Sequence, residues 1–446
     1  MKNNNAITQF KLLRDLRFYP LFWTQFGGAF NDNFYKSALM MLFTYSGVTL
    51  WGQGVDVLNN LVAAALIIPF LLFAPVAGQF ADRLDKAAMA RALKLAEIGV
   101  MLLGVFAFWV QSPALLLLVV LGTGIQSACF SPVKYAIFPQ HVTPAELTGA
   151  NGVLHAGTSL AVFCGLIAGT VAMQFSFGAY LVACTALLIA FLGWRISRRI
   201  APAPPAPNAP GYVVNPLRQI VRSFSYVRRN RLVLVSVLAF SWYWFLGSVY
   251  LTQLPNFSRE LINGEGSVVS CLLVAFLLGV CSGALLCNRL SRGQVEPAIV
   301  PLGGLMVLVF GVELALAGQS FAVNHPPLDE SLYALSDLLT LPGFWRILID
   351  VLLLGVAGGL YSVPLQALMQ RESPNECRAQ IIGANNVVNA LFMVAGSISA
   401  IVFLGVLNFT IPHFFLLTAG MHSVIIVSLL IFEPVFIRRV RRWIRP

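Results

Sequence analysis

Long apolar stretches recur along the whole chain, separated by short basic segments. This pattern limits what the sequence can fold into. Twelve stretches can be read, at roughly 18–48, 58–81, 88–110, 113–138, 146–173, 177–196, 232–257, 267–290, 296–319, 343–369, 378–406 and 411–436. About 20 apolar residues suffice to cross a bilayer as a helix. In hydrocarbon an unpartnered backbone N–H or C=O costs several kcal/mol, so only helices and closed barrels span. An all-α, polytopic membrane protein is expected. The first stretch is long enough to tilt or bend.

Composition excludes the main alternatives. The chain is 58% hydrophobic and 11% charged, with a mean hydropathy of +0.79. A water-soluble domain must solvate its outside and has no use for so much apolar surface. The net charge of +11 raises nucleic acid as a partner, but the distribution argues against it. Basic residues gather at the N-terminus (Lys2, Lys11, Arg14, Arg17), at the C-terminus (Arg438, Arg439, Arg441, Arg442, Arg445) and in alternate loops. By the positive-inside rule both termini are expected in the cytoplasm, leaving Lys36, Arg259 and Arg346 as exceptions. Asp56, Glu260, Glu265, Asp329, Glu330 and Asp337 then fall outside. Seven cysteines without a CxxC pattern speak against a disulfide framework or zinc site. The first stretch is too long for a signal-peptide core and is read as a retained helix. No P-loop, HExxH or dinucleotide fingerprint occurs, so no cofactor, metal or enzymatic activity is expected.

Residues 197–231 divide the chain into a first bundle over 1–196 and a second over 232–446. This linker holds a proline-rich run at 201–210, expected to be extended and semi-rigid. Arg218, Arg222, Arg228, Arg229 and Arg231 follow, in a segment able to lie as a helix on anionic headgroups. The bundles repeat. Ser131-Pro132-Val133-Lys134-Tyr135-Ala136, Thr143-Pro144-Ala145-Glu146 and Gly149-Ala150-Asn151 answer Ser362-Val363-Pro364-Leu365-Gln366-Ala367, Ser373-Pro374-Asn375-Glu376 and Gly383-Ala384-Asn385. Two parallel six-helix halves are a known transporter plan.

The residues that invite function are polar groups inside apolar stretches. Phe30-Asn31-Asp32-Asn33-Phe34-Tyr35-Lys36 places two amides, an acid and a base in the first stretch. Each charge costs roughly 2.5–3.5 kcal/mol at the centre of a membrane helix, so the cluster is expected to line a polar path. The plainer alternative is a self-satisfied Asp32–Lys36 pair at i,i+4. Lys134, at the end of span four, is either cavity lining or an inside-rule charge. His155, Thr158 and Ser159 on span five and Asn385, Asn386 and Asn389 on span eleven are read as cavity lining or interhelical packing, and Gln366, with His155 and Asn385, is a substrate-binding candidate. Glu97 and Glu313 read as lone acids in apolar runs, as gate elements or protonated residues. Arg346 and Asp350 are expected to pair locally. Trp242, Tyr243, Trp244 and Tyr250 are assigned chiefly to packing. Gly165/Gly169, Gly279/Gly283 and Gly355/Gly359 permit close helix approach.

Gly78-Gln79-Phe80-Ala81-Asp82-Arg83-Leu84-Asp85-Lys86, joining spans two and three, resembles the signature of major facilitator transporters. An acid here is favoured near a helix N-terminus by the dipole. Three further segments narrow the likeness. Gln25-Phe26-Gly27-Gly28-Ala29-Phe30-Asn31-Asp32-Asn33, Ser131-Pro132-Val133-Lys134-Tyr135 and Val363-Pro364-Leu365-Gln366-Ala367-Leu368 are similar to elements of bacterial lysophospholipid transporters. Glutamine stands at 366 where those proteins have asparagine, and the proline linker and the outer loop near 322–342 depart from their short-loop pattern.

The resemblance implies a major facilitator fold and a monomer. It implies transfer of lysophospholipid, chiefly lysophosphatidylethanolamine, from the outer to the inner leaflet of the bacterial inner membrane by alternating access. A cytoplasmic acyltransferase or acyl-ligase would then re-acylate it. It implies that Asp82, with Arg83 beside it, latches the start of span eleven. Against such a cargo, Asp32 suits the ammonium, Lys36 or Lys134 the phosphate, and Asn31, Asn33 and Gln25 the glycerol hydroxyl. The competing expectation is proton-coupled transport of a small amphipathic or soluble compound, with Asp32, Glu97 or Glu313 carrying the proton.

Overall fold

The structure, a computed structural model, describes residues 9–46, 55–326 and 332–444. Lys2, Asp329, Glu330 and Arg445 lie outside these residues, as does the side chain of Asp56. Among the described residues, twelve long helices stand where the apolar stretches predict them. They are α1 (Tyr19–Ser46), α2 (Val55–Arg83), α3 (Lys86–Trp109), α4 (Pro113–His141), α5 (Leu147–Ala172) and α6 (Gly178–Ser197). The linker contributes α7 (Pro216–Arg229). Then come α8 (Arg231–Phe257), α9 (Gly266–Leu290), α10 (Ile299–Asn324), α11 (Pro342–Glu372), α12 (Arg378–Ala400) and α13 (Ile411–Phe432). A terminal helix, α14, covers Pro434–Ile444. Among the described residues, 11 helices are long and apolar enough to cross a membrane. α1 is not one of these, though at 28 residues it has the length; it carries the polar cluster.

Local chemistry sets several boundaries. Ser112 and Asp85 accept from the backbone amides of Leu115 and Ala88, capping α4 and α3. Asn215 caps α7 ahead of Pro216, whose missing N–H is harmless in a first turn. α8 and α12 each close in a π-helical turn, Ser258–Ile262 and Ile401–Val406. The loop after α10 is partly structured: Tyr333 exchanges backbone hydrogen bonds with Asn263 and Glu265.

The chain forms two compact units. The first comprises Met1–Ala150, Gly157–Asn230 and Gln370–Ala390. The second comprises Asn151–Ala156, Arg231–Met369 and Leu391–Pro446. The short segments Asn151–Ala156 and Gln370–Ala390, which contain part of the sequence repeat, thus belong with the opposite half of the chain.

In the first unit the core runs through α1, α3, α4 and α6 around Phe34, Tyr35, Phe43, Met101 and Phe108. α5 lies close on α1: a Cβ on Gly165 or Gly169 would strike the carbonyl of Phe30 or Phe34. In the second unit the glycine motifs of α9 and α11 meet each other. A Cβ on Gly279 or Gly283 would strike the backbone at Leu352 or Val356, and one on Gly355 or Gly359 would strike Phe276 or Ala284. Between helices in lipid there is no hydrophobic drive, so such backbone contact carries the association. Trp242 is a packing residue, stacked on Phe245 at 4.4 Å. Its Nε1 donates to Nδ1 of buried His422 (2.9 Å), whose Nε2 donates to the Gly304 carbonyl (2.8 Å).

Gly355→Leu should therefore lower the melting temperature of the detergent-solubilised protein. Overpacking of this kind costs about 1–3 kcal/mol. Gly420→Ala, which meets nothing within 4 Å, should leave melting unchanged. Equal melting curves for both variants would refute the glycine-contact account.

Candidate functional site

The first unit holds a charged wall built from α1 and α4. Gln25, Asp32 and Lys36 stand at i, i+7 and i+11 on α1, one face of a helix. Ser127, Ser131 and Lys134 follow the same logic on α4. Ser127 Oγ donates a short hydrogen bond to Asp32 Oδ2. Asp32 Oδ1 is buried with no hydrogen-bond partner. The Lys134 ammonium lies 4.9 Å from the centroid of the Tyr135 ring. Both Lys134 and Lys36 lie within electrostatic reach of Asp32. Yet among the described residues no carboxylate lies within ion-pair distance of either lysine. The local Asp32–Lys36 pair is thus not formed; Asp32 turns to α4 instead. Gln25 donates to Thr158 Oγ1 on α5 at 3.5 Å, and Asn386 of α12 donates to Ser131 Oγ at 2.8 Å.

Behind the wall sits a sealed ion pair. Lys94 Nζ and Glu97 Oε2 are 2.5 Å apart, with side chains 1% and 2% exposed. Asn31, fully buried, donates to Glu97 Oε1 at 3.4 Å. Gly28 makes the room: a Cβ there would come within 2.6 Å of Lys94 Nζ. Glu97 is therefore not a lone acid, and Asn31 faces it rather than the side shared by Asp32 and Lys36. Asn33 donates to the Ala29 carbonyl of its own helix at 2.9 Å.

A third cluster lies at the linker end of the unit. Asp82 is fully buried and accepts from the backbone amides of Ala379 (2.9 Å) and Gln380 (3.0 Å) and from Gln380 Nε2 (3.2 Å). The first amides of a helix have no partner within it, and Asp82 supplies one to α12 together with favourable dipole charge. The sequence reading placed this acid near a helix N-terminus. That helix is α12, in contact through space; α3, next in the chain, is capped by Asp85. Gly78 and Gly383 permit the approach, since a Cβ on either would strike the carbonyl of Ala379 or Ala74. Arg83 is exposed and joins no ion pair among the described residues. The linker fastens here too. Gln219 Nε2 donates to Gln380 Oε1 (2.8 Å), and Gln79 exchanges two 3.1 Å bonds with the Val213 backbone. Ala203 likewise bonds Asp85 and the Lys86 amide.

The remaining candidates are dispersed. In the second unit His155 Nε2 meets the Tyr243 hydroxyl at 3.5 Å, and Gln366 is buried with its Nε2 unsatisfied. In the first unit Asn385 Oδ1 is buried and unsatisfied. The local Arg346–Asp350 pair is also not formed. Arg346 binds Glu313 on α10 (2.6 Å) because it stays in the exposed layer, whereas Asp350 is buried one turn deeper. Glu313 is accordingly paired. Sequence reasoning missed Ser127, Lys94, Gln380 and Gln219. The i,i+3 spacing of Lys94 and Glu97 was a usable signal; the others depend on partners from distant helices.

Comparison with known proteins bears on the family and the fold. The model of the Major Facilitator Superfamily matches residues 21–397. The chain is 28% identical over 373 residues to the Lysophospholipid transporter LplT of Salmonella arizonae, covering 82% of this chain and 81% of that protein. It is 26% identical over 394 residues to the protein of the same name from Escherichia coli, covering 86% and 88%. The crystal structure of FucP, a Major Facilitator Superfamily transporter in the outward conformation, superposes with a TM-score of 0.68 at 13% identity, over 93% of this chain and 98% of that one.

Cys377, just before α12, reports on the Asp82 contact. Burial pushes its thiol up to about 11, and the nearby Asp82 charge adds to the effect. Near neutral pH almost no thiolate is present, so maleimide should react slowly. In a protein whose sole cysteine is Cys377, Asp82→Ala should speed labelling about tenfold or more. The midpoint of rate against pH should fall from about 11 toward the unshifted thiol value near 9.0. An unchanged rate and midpoint would show that Asp82 does not shield Cys377.

Proposed function

The chain belongs to the Major Facilitator Superfamily and is a multi-pass membrane transporter, and from that premise we propose that its cargo is a lysophospholipid, chiefly lysophosphatidylethanolamine. The observation that carries this reading is the unequal state of the charges in the first unit. Lys94 and Glu97 answer each other, while Asp32 keeps one oxygen free and Lys134 and Lys36 lack a paired carboxylate. A zwitterionic headgroup answers both needs. Its ammonium pairs with Asp32 Oδ1, and its phosphate meets Lys134 or Lys36 as a point charge. Gln25, on the same face, bonds the glycerol hydroxyl. Unpaired buried charge costs several kcal/mol, so a ligand that completes the set is held strongly.

The relatives called lysophospholipid transporters support the same class. In this reading a monomer carries the lipid from the outer to the inner leaflet of the bacterial inner membrane by alternating access, with both termini cytoplasmic. Asp82 acts as the latch that holds the start of α12, with Arg83 beside it. A cytoplasmic acyltransferase or acyl-ligase re-acylates the delivered lipid, so the chain itself performs no chemistry. His155, Gln366 and Asn385 complete the polar lining.

Proton-coupled transport of a small amphipathic compound is the second reading. Glu97 and Glu313 serve it poorly, since each is already ion-paired. Asp32, with its free oxygen, is the group that favours it.

Proteoliposomes carrying headgroup-labelled lysophosphatidylethanolamine separate the two. The unmodified protein should move the label out of reach of an impermeant quencher, at a rate indifferent to an uncoupler. Asp32→Asn and Lys134→Ala should each slow it by about tenfold or more, the effect of losing one charge-assisted hydrogen bond. Movement that stops with the uncoupler would favour the proton reading. No movement at all would refute the cargo.

A further inference from the structure

The linker helix α7 shows three distinct faces. Gln219, Ser223 and Val227 are buried, four residues apart. Leu217, Val221, Phe224 and Arg228 share a second face, on which Leu217 and Val221 are 66% and 70% exposed. An open groove lined by Val221, Phe224, Ser225 and Arg228 lies along it. Arg218 and Arg229 are exposed on a third face beside the second, and Arg222, half-buried on it, turns inward. No Asp or Glu occurs in the chain between Glu146 and Glu260.

The occupant of the two outer faces follows from where α7 is tied. One residue, Asn230, separates it from α8, which crosses the membrane from Arg231. The buried face rests on α2, with Gln219 Nε2 3.5 Å from the Pro75 carbonyl. The helix is thus held at the edge of the hydrocarbon. An apolar stripe beside an arginine face, held there, suits the boundary between acyl chains and anionic headgroups. A soluble acidic partner would leave Leu217 and Val221 uncovered. α14 repeats the design at the other chain end: one residue, Glu433, separates it from α13, and it carries Arg438, Arg439, Arg441 and Arg442.

The inner side of α7 is wired to the Asp82 cluster. Gln380 Oε1 accepts from Gln219 Nε2 at 2.8 Å and from Arg222 Nη2 at 3.4 Å. Gln380 in turn gives two hydrogen bonds to Asp82. Arg222 also reaches Gln79 Oε1 (3.4 Å) and the Gly211 carbonyl (2.5 Å).

We propose that α7 binds anionic glycerophospholipid of the adjacent bilayer surface through Leu217, Val221, Phe224 and its outer arginines, and that this seating steadies Gln380 on Asp82. Membrane charge then controls how readily the α2–α12 contact opens. This does not depend on the identity of the cargo.

The test uses the full-length protein in phosphatidylethanolamine vesicles with or without phosphatidylglycerol. A photoreactive phosphatidylglycerol should crosslink within residues 212–231, and high salt should reduce the yield because it screens the arginines. Each of Arg218→Gln, Arg228→Gln and Arg229→Gln should lower the yield about fivefold, as expected for one basic residue near an anionic surface. Labelling of Cys377 should slow several-fold when phosphatidylglycerol is added to the unmodified protein, and should not respond in the triple variant. Crosslinking elsewhere, or at 212–231 regardless of headgroup charge, would overturn the lipid assignment. So would capture of an acidic soluble protein by α7 with indifference to phosphatidylglycerol. Correct crosslinking with unchanged Cys377 labelling would overturn the coupling. None of these readouts involves transport, so they separate this inference from the cargo assignment.

Discussion

Hydrocarbon offers no hydrogen bonds, and almost every feature of this protein answers that fact. Backbone groups are satisfied within helices. The charges kept inside must find partners in protein, and three answers are visible. Lys94 and Glu97 neutralise each other in a dry contact. Asp82 is met by backbone amides. Asp32 is met on one oxygen only. The three buried acids thus differ in how completely protein groups satisfy them.

The Asp82 cluster is a meeting point of otherwise separate elements. The end of α2, the start of α12 and the linker converge on Gln380, which gives to Asp82 and accepts from Gln219 and Arg222. The linker is fastened at Asp85, Lys86, His141, Gln79 and Gln380. The backbone carbonyls of Pro202 and Pro204 accept hydrogen bonds from His141 and Lys86, since proline lacks the donor but keeps the acceptor.

Each unit also depends on glycine to bring backbones together. In the second unit the α9 and α11 motifs interlock, and in the first α5 lies on α1 and Gly124 of α4 on the Ala65 carbonyl of α2. Across α1 and α4, Ser127 reaches the Asp32 carboxylate.

The sequence by itself determined the helices, their number and order, the two-part repeat and the polar face of α1. Those features depend on periodicity and on the hydration cost of charge, which are local properties of the chain. Tertiary structure alone decided which charge answers which. Arg346 left its i,i+4 neighbour Asp350 for Glu313, and Asp32 left Lys36 for Ser127. Side-chain partners are chosen by distance and burial after helices pack, and neither quantity is written in the spacing along one helix.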